Sequence, residues 1–140
     1  MTNEEFAQHV LGQVPAEIEF HPTADYDADG DCIEFIAAPD SYYAERIDTL
    51  VTVYRSQETD EVVGSLIKGV SKFLRDVLKR APGFKIEVHD GRIKLVHLFT
   101  AKLWTEPLDP NTVPGITYRE LREVAEETGT EVEVGDLALT

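Results

Sequence analysis

The sequence predicts an α+β fold: an antiparallel sheet of about five to seven strands, two hairpins, and a central amphipathic helix packed on one face. Three observations lead there. Val70, Phe73, Leu74, Val77, Leu78 and Ala81 recur at helical spacing, with Lys72, Arg75, Asp76, Lys79 and Arg80 on the opposite side. Thr49–Arg55 and Glu61–Ile67 are rich in Val, Tyr, Thr and Ile around a polar break at Ser56–Asp60, the pattern of a hairpin. Asp90-Gly91 is a two-residue turn signal, because a type I′ turn needs positive φ at both positions.

Taken in order, the chain reads as one domain over residues 1–140, with an N-terminal helix over 1–12. Thr2 and Glu5 have capping-box spacing there, Phe6, Val10 and Leu11 make a stripe, and Gly12 with Pro15 ends it. The sheet and central helix occupy 17–104. Within them, residues 25–31 read as a turn and Cys32–Ala37 as a strand, while Tyr42–Ile47 is expected to form a helical turn. Pro82-Gly83 stops the central helix. The second hairpin is expected to set Val88 opposite Ile93, Ile86 opposite Leu95, Phe84 opposite His97 and Glu87 opposite Lys94. A Pro-rich loop follows over 105–116. Residues 117–140 hold a C-terminal helix, with Thr117 and Glu120 as a capping box, Ile116 and Leu121 as a staple and Gly129 as its stop, then a short strand at Glu131–Val134.

Composition narrows the classes of function. Hydrophobic residues make up 42% and aromatics 9%, which suits a packed core. No apolar run reaches the roughly 18 residues needed to span a bilayer, and the start Met1-Thr2-Asn3-Glu4-Glu5 lacks a secretory leader's basic residues. Cys32, the one cysteine, fits a reducing, cytoplasmic setting. The formal net charge is -14, which argues against nucleic acid or an anionic membrane as partners of the whole surface. That charge is segregated. Residues 1–60 carry 14 acids and 2 bases, residues 61–105 carry 4 and 9, and residues 106–140 carry 9 and 2. A block of net +5 therefore lies between ends of -12 and -7.

Two stretches resemble a known family. Tyr26-Asp27 followed by Asp31 and the apolar Ile33 and Phe35 is one; Val51-Thr52-Val53-Tyr54, a polar turn and Glu61-Val62-Val63-Gly64-Ser65-Leu66-Ile67 is the other. Together, over about residues 26–68, they are similar to the short prokaryotic proteins of domain-of-unknown-function family twenty-two eighty-three. The resemblance implies no catalytic residues. Because some members sit beside small toxin-like proteins, it implies an antitoxin-like partner role.

Four groups of residues are candidate sites. Asp25, Asp27, Asp29, Gly30 and Asp31 match the first half of a calcium loop, in which alternate carboxylates wrap a hard cation. The twelfth position, a bidentate Glu in such loops, is Ile36, so a solvated acidic turn is the preferred reading and Ca the alternative cofactor. The histidines His9, His21, His89 and His97 have no zinc spacing. An enzyme cleft built from carboxylates and His21, His89 or His97 is the third reading, weakened by the lack of a G-x-S-x-G elbow, a P-loop or a G-x-G-x-x-G. Cys32 follows an acidic loop, which disfavours a thiolate. Tyr42, Tyr43 and Arg46 are residue types enriched at interface hot spots; the plainer expectation packs one tyrosine under the sheet. Lys72, Arg75, Lys79 and Arg80, with Lys68, Lys85, Arg92, Lys94 and Lys102, form the basic block. It suits an acidic protein partner or self-association better than nucleic acid.

The leading expectation is therefore a non-catalytic protein-interaction module: a homodimer, an antitoxin-like protein or the partner of a small basic protein.

Overall fold

The computed structural model describes residues 20–80 and 91–134. The expected N-terminal helix over 1–12, the strand side at 84–88, the stop at Pro82-Gly83 and the last residues of the chain lie outside them.

Five strands come first: β1 (Thr23–Asp27), β2 (Cys32–Ile36), β3 (Tyr42–Arg46), β4 (Val51–Ser56) and β5 (Val62–Lys68). They form one antiparallel sheet in the order β1-β2-β5-β4-β3. Helix α1 (Val70–Arg80) follows, then β6 (Arg92–Lys94), α2 (Leu95–Thr105), α3 (Val113–Thr128) and β7 (Glu131–Glu133). The predicted α+β class is what the chain adopts. Among the described residues no helix is long and apolar enough to cross a membrane.

Strand register builds the core. Ile33 pairs with Ile67, which pairs with Val51; Phe35 pairs with Ser65, which pairs with Val53. Opposed residues share a face, so two rows of side chains, apolar except for Ser65, line one side of the sheet. Val70, Leu74 and Val77 of α1, Leu95, Leu98 and Phe99 of α2, and Tyr118, Leu121 and Ala125 of α3 are buried with them. Val70, Leu74 and Val77 of the stripe bury as its spacing predicts, with Phe73 at the half-buried edge, while Ala81 lies outside the described residues. The side chain of Leu78 lies outside the described ones. Gly64 of β5 sits against β2: a Cβ there would lie 2.2 Å from the Phe35 carbonyl oxygen.

Three expectations are corrected. Tyr42–Arg46 is an edge strand, not a helical turn, paired from Tyr42↔Ser56 to Arg46↔Thr52. The Asp48 side chain closes this hairpin by accepting from the Leu50 and Val51 N–H groups. Leu95 and His97 are helical, so they cannot face Ile86 and Phe84 across a hairpin. The stretch from Ile93 to Phe99 fits alternation, but Leu95, Leu98, Phe99 and Lys102 also fit i, i+3, i+4, i+7, and a helix buries the first three together. β6 pairs with β7, and Arg92↔Glu133 and Lys94↔Glu131 set opposite charges face to face around Ile93↔Val132; the expected partners Glu87 and Val88 lie outside the described residues. Lastly, the C-terminal helix starts at Val113, not at Thr117. Thr112 is its N-cap, accepting from the Gly115 N–H, with Pro114 in the first turn. Gly129 ends it as predicted, at φ 61.

Candidate functional site

The aspartates of the proposed cation loop are divided between a strand and a turn. Asp25 and Asp27 lie on β1, opposite Glu34 and Cys32, and are exposed. Asp29 donates its N–H to Asp27 Oδ1. Asp31 does other work. Its Oδ1 accepts from the Tyr26 hydroxyl at 2.7 Å, and its Oδ2 from Ser71 Oγ at 2.7 Å. The Ser71 N–H points at both oxygens, and the Asp31 carbonyl accepts from the Val70 N–H. Asp31 therefore caps α1 from 40 residues away in sequence. Partial burial alone would raise its pKa, but the hydrogen bonds from Ser71 and Tyr26 outweigh it and hold the carboxyl below its ordinary range. Among the described residues no group of three or more His, Cys, Asp or Glu side chains is placed to hold a metal ion.

The cysteine and the histidines are scattered. Burial, with Asp27 and Asp31 beside it, pushes the Cys32 thiol up. His21 lies just before β1, and His9 and His89 lie outside the described residues. His97 on α2 has a buried Nδ1 with no hydrogen-bond partner. It borders a cavity of about 450 Å³ with Lys94, Thr100, Arg122 and Glu126.

The two tyrosines of β3 are both exposed, at 39% each, so neither packs under the sheet. Tyr42 stacks on Tyr54 with ring centroids 4.3 Å apart, and Tyr54 in turn donates its hydroxyl to Glu34. Tyr43 donates to Asp60 Oδ1 at 2.8 Å. Arg46 is exposed at the end of the strand, its Nε directed to the Asp48 carbonyl.

A cleft of about 390 Å³ gathers part of the basic block. It opens between α1 and α2 at the foot of β5. Leu50, Phe73 and Val77 give it an apolar floor, and Lys68, Lys72, Arg80 and Lys102 stand around it with Asp76 and Glu106. Lys102 is the restrained cation of the four. It pairs with Glu106, lies 3.8 Å from Asp48 Oδ2, and sits 5.7 Å from the Tyr118 ring centroid. Lys68, Lys72 and Arg80 are exposed. Arg75 and Lys79 are exposed on α1 but do not line the cleft. The fold therefore brings Lys72 and Arg80 together with Lys68 and Lys102 and leaves Arg75 and Lys79 apart. Sequence reasoning found the cations but not the floor: Leu50 comes from the β3–β4 turn, and nothing local marks it. No family model matches the chain, and comparison with curated proteins and with solved structures gives no match.

Among the described residues the cleft is lined by no histidine, cysteine or serine. Its described lining combines an apolar floor (Leu50, Phe73, Val77) with cations at the rim (Lys68, Lys72, Arg80, Lys102). Asp76 and Glu106 interrupt the positive rim, which suits discrete carboxylates better than a continuous polyphosphate.

Proposed function

We propose that this protein is a non-catalytic interaction module that holds an acidic protein segment in the α1–α2 cleft. The observation that carries this reading is the juxtaposition of Leu50, Phe73 and Val77 with the exposed Lys68, Lys72 and Arg80. A peptide with one apolar side chain flanked by Asp or Glu would bury the former and pair the latter. In a chain of net charge -14, a local positive rim also favours docking at the cleft, because the net charge of the remaining surface is strongly negative. An antitoxin-like role is one form of this reading, the partner being a small protein with an acidic docking segment.

The test is fluorescence anisotropy with a labelled peptide of alternating Asp and Glu around one Leu. Saturable binding that weakens with added salt is expected, with a loss of about tenfold or more in Lys72→Glu and Arg80→Glu. Lys79→Glu, away from the cleft, should bind as the parent does. No binding, or equal losses in all three variants, would overturn the reading.

A further inference from the structure

Among the described residues β3 is the outermost strand on the side of the sheet away from β1, and its five residues are all exposed. The hydrogen-bond phase of the β3–β4 ladder shows which backbone groups have no strand partner among the described residues. Ile47 donates its N–H to the Val51 carbonyl, and Gln57 donates to the Ser41 carbonyl. Residues 41 and 47 thus belong to bonded pairs, and antiparallel pairing alternates bonded and non-bonded residues. Tyr43 and Glu45 then bond to β4, whereas Tyr42, Ala44 and Arg46 direct their N–H and C=O groups outward. Such a row is a template for another strand.

We infer that β3 pairs with β3 of a second copy of this chain, antiparallel about a two-fold axis at Ala44. This register alone pairs all five residues of the strand. It matches the outward groups: Ala44 meets Ala44 of the second copy, and Tyr42 meets Arg46 twice, so each of the three pairs exchanges two backbone hydrogen bonds. The Tyr42 carbonyl already accepts from Gln57 Nε2 at 3.3 Å, and its second lone pair stays available. Side chains agree as well. Arg46 of each copy comes to lie beside the other copy's Tyr42, whose ring is stacked on Tyr54, a geometry suited to cation–π attraction. Glu45 comes opposite Tyr43, so no like charges are opposed. Sliding the pairing by one step to centre it on Glu45 would set Glu45 against Glu45, a repulsive contact. The charge of Glu45 thus rejects that misregister, and only the register centred on Ala44 uses the full length of the strand. This surface is separate from the α1–α2 cleft, and either can fail without the other.

Sedimentation equilibrium of the full chain at moderate and high salt tests the inference. A dimer is expected, strengthened by salt because two copies of charge -14 repel across the pair. Ala44→Pro removes an outward N–H without touching the β4 ladder, which edge strands tolerate. It should leave the circular-dichroism melt in place and weaken the dimer at least about tenfold. In a Cys32→Ser background, Ala44→Cys should form a disulfide between copies on mild oxidation, since bonded partners lie about 5.5 Å apart at Cα. Glu45→Cys should not, because it faces Tyr43. Monomer at all concentrations and salts, a dimer indifferent to Ala44→Pro, or cross-linking through position 45 instead of 44 would overturn the inference. Acidic-peptide binding by Ala44→Pro should equal that of the parent, which separates this result from the fate of the cleft.

Discussion

The hydroxyl of Tyr118, a wholly buried residue of α3, donates to Oδ2 of Asp48 at 2.6 Å across 70 residues of sequence. The other oxygen of Asp48 accepts from Leu50 and Val51. One carboxylate thereby shapes the β3–β4 hairpin and fastens it to the C-terminal helix. It also draws in Lys102, which places that lysine at the cleft. Burial first, and then the hydrogen bond to Asp48 and its charge, drive the Tyr118 pKa far upward, so the phenol stays a donor.

Tyr118→Phe removes this link with little change of shape. Because Asp48 keeps its turn bonds, the expected cost is about 1–3 kcal/mol, the penalty for a hydrogen bond to a charged group. Asp48→Ala should cost more, since the turn loses its acceptor too. Urea denaturation of the two single variants and the double variant would give the coupling. Additive effects of the two substitutions would show that the bond is not contributing.

Leu74 is fully buried at the centre of the α1 stripe. Leu74→Ala should cost about 2–5 kcal/mol, the range for a truncated core leucine. A melt indistinguishable from the parent's would mean that α1 does not bear on the core.

How much of this was legible depended on whether the deciding contact was local. The α1 stripe, the Gly129 stop and the β4–β5 pairing come from spacing and turn chemistry within a few residues. Tyr42–Arg46 gave no signal because every side chain of an exposed edge strand can be polar, and its identity comes from pairing with β4. The segment after Arg92 misled for a different reason. Its apolar residues satisfy two periods, and the partner that decides between them, Glu131–Glu133, lies far along the chain. The cleft was half legible: charge counting located Lys68, Lys72, Arg80 and Lys102, but their common floor depends on the Asp48 turn and on the packing of α1 near α2. In the sequence Asp31 belongs to an acidic turn with cation binding as the alternative, whereas its partners, Tyr26 and Ser71, are set by the fold.

Gly64→Ala should be among the most damaging small substitutions. Its added methyl would meet the Phe35 carbonyl at 2.2 Å and the Tyr54 ring at 3.2 Å. Backbone cannot give way as a flexible side chain would, so β2 and β5 must separate locally. The expected cost is about 1–3 kcal/mol or more, read by thermal denaturation. Hydrogen exchange should show faster loss at Phe35 and Ser65 than at Tyr118. Unchanged exchange there would mean that the strand pair absorbs the methyl.

The Tyr26–Asp31–Ser71 cluster gives stability a pH dependence at both ends. The folded-state pKa of Asp31 is depressed. Its contribution is therefore present above the ordinary carboxylate pKa of about 3.9 and is lost as pH falls through that value and below it. Tyr26 shifts the other way. Burial first, then its hydrogen bond to Asp31, push it from 10.0 to about 12, so its contribution is complete below pH 10 and disappears as pH rises toward 12. Asp31→Asn keeps the shape but replaces one acceptor oxygen with an NH₂ group and removes the charge. It should flatten the acid limb and reduce the alkaline one, because Tyr26 then loses the anion that helps keep it protonated. Denaturant midpoints from pH 2 to 12 would check both limbs. An acid limb unchanged in Asp31→Asn would assign that limb to other carboxylates.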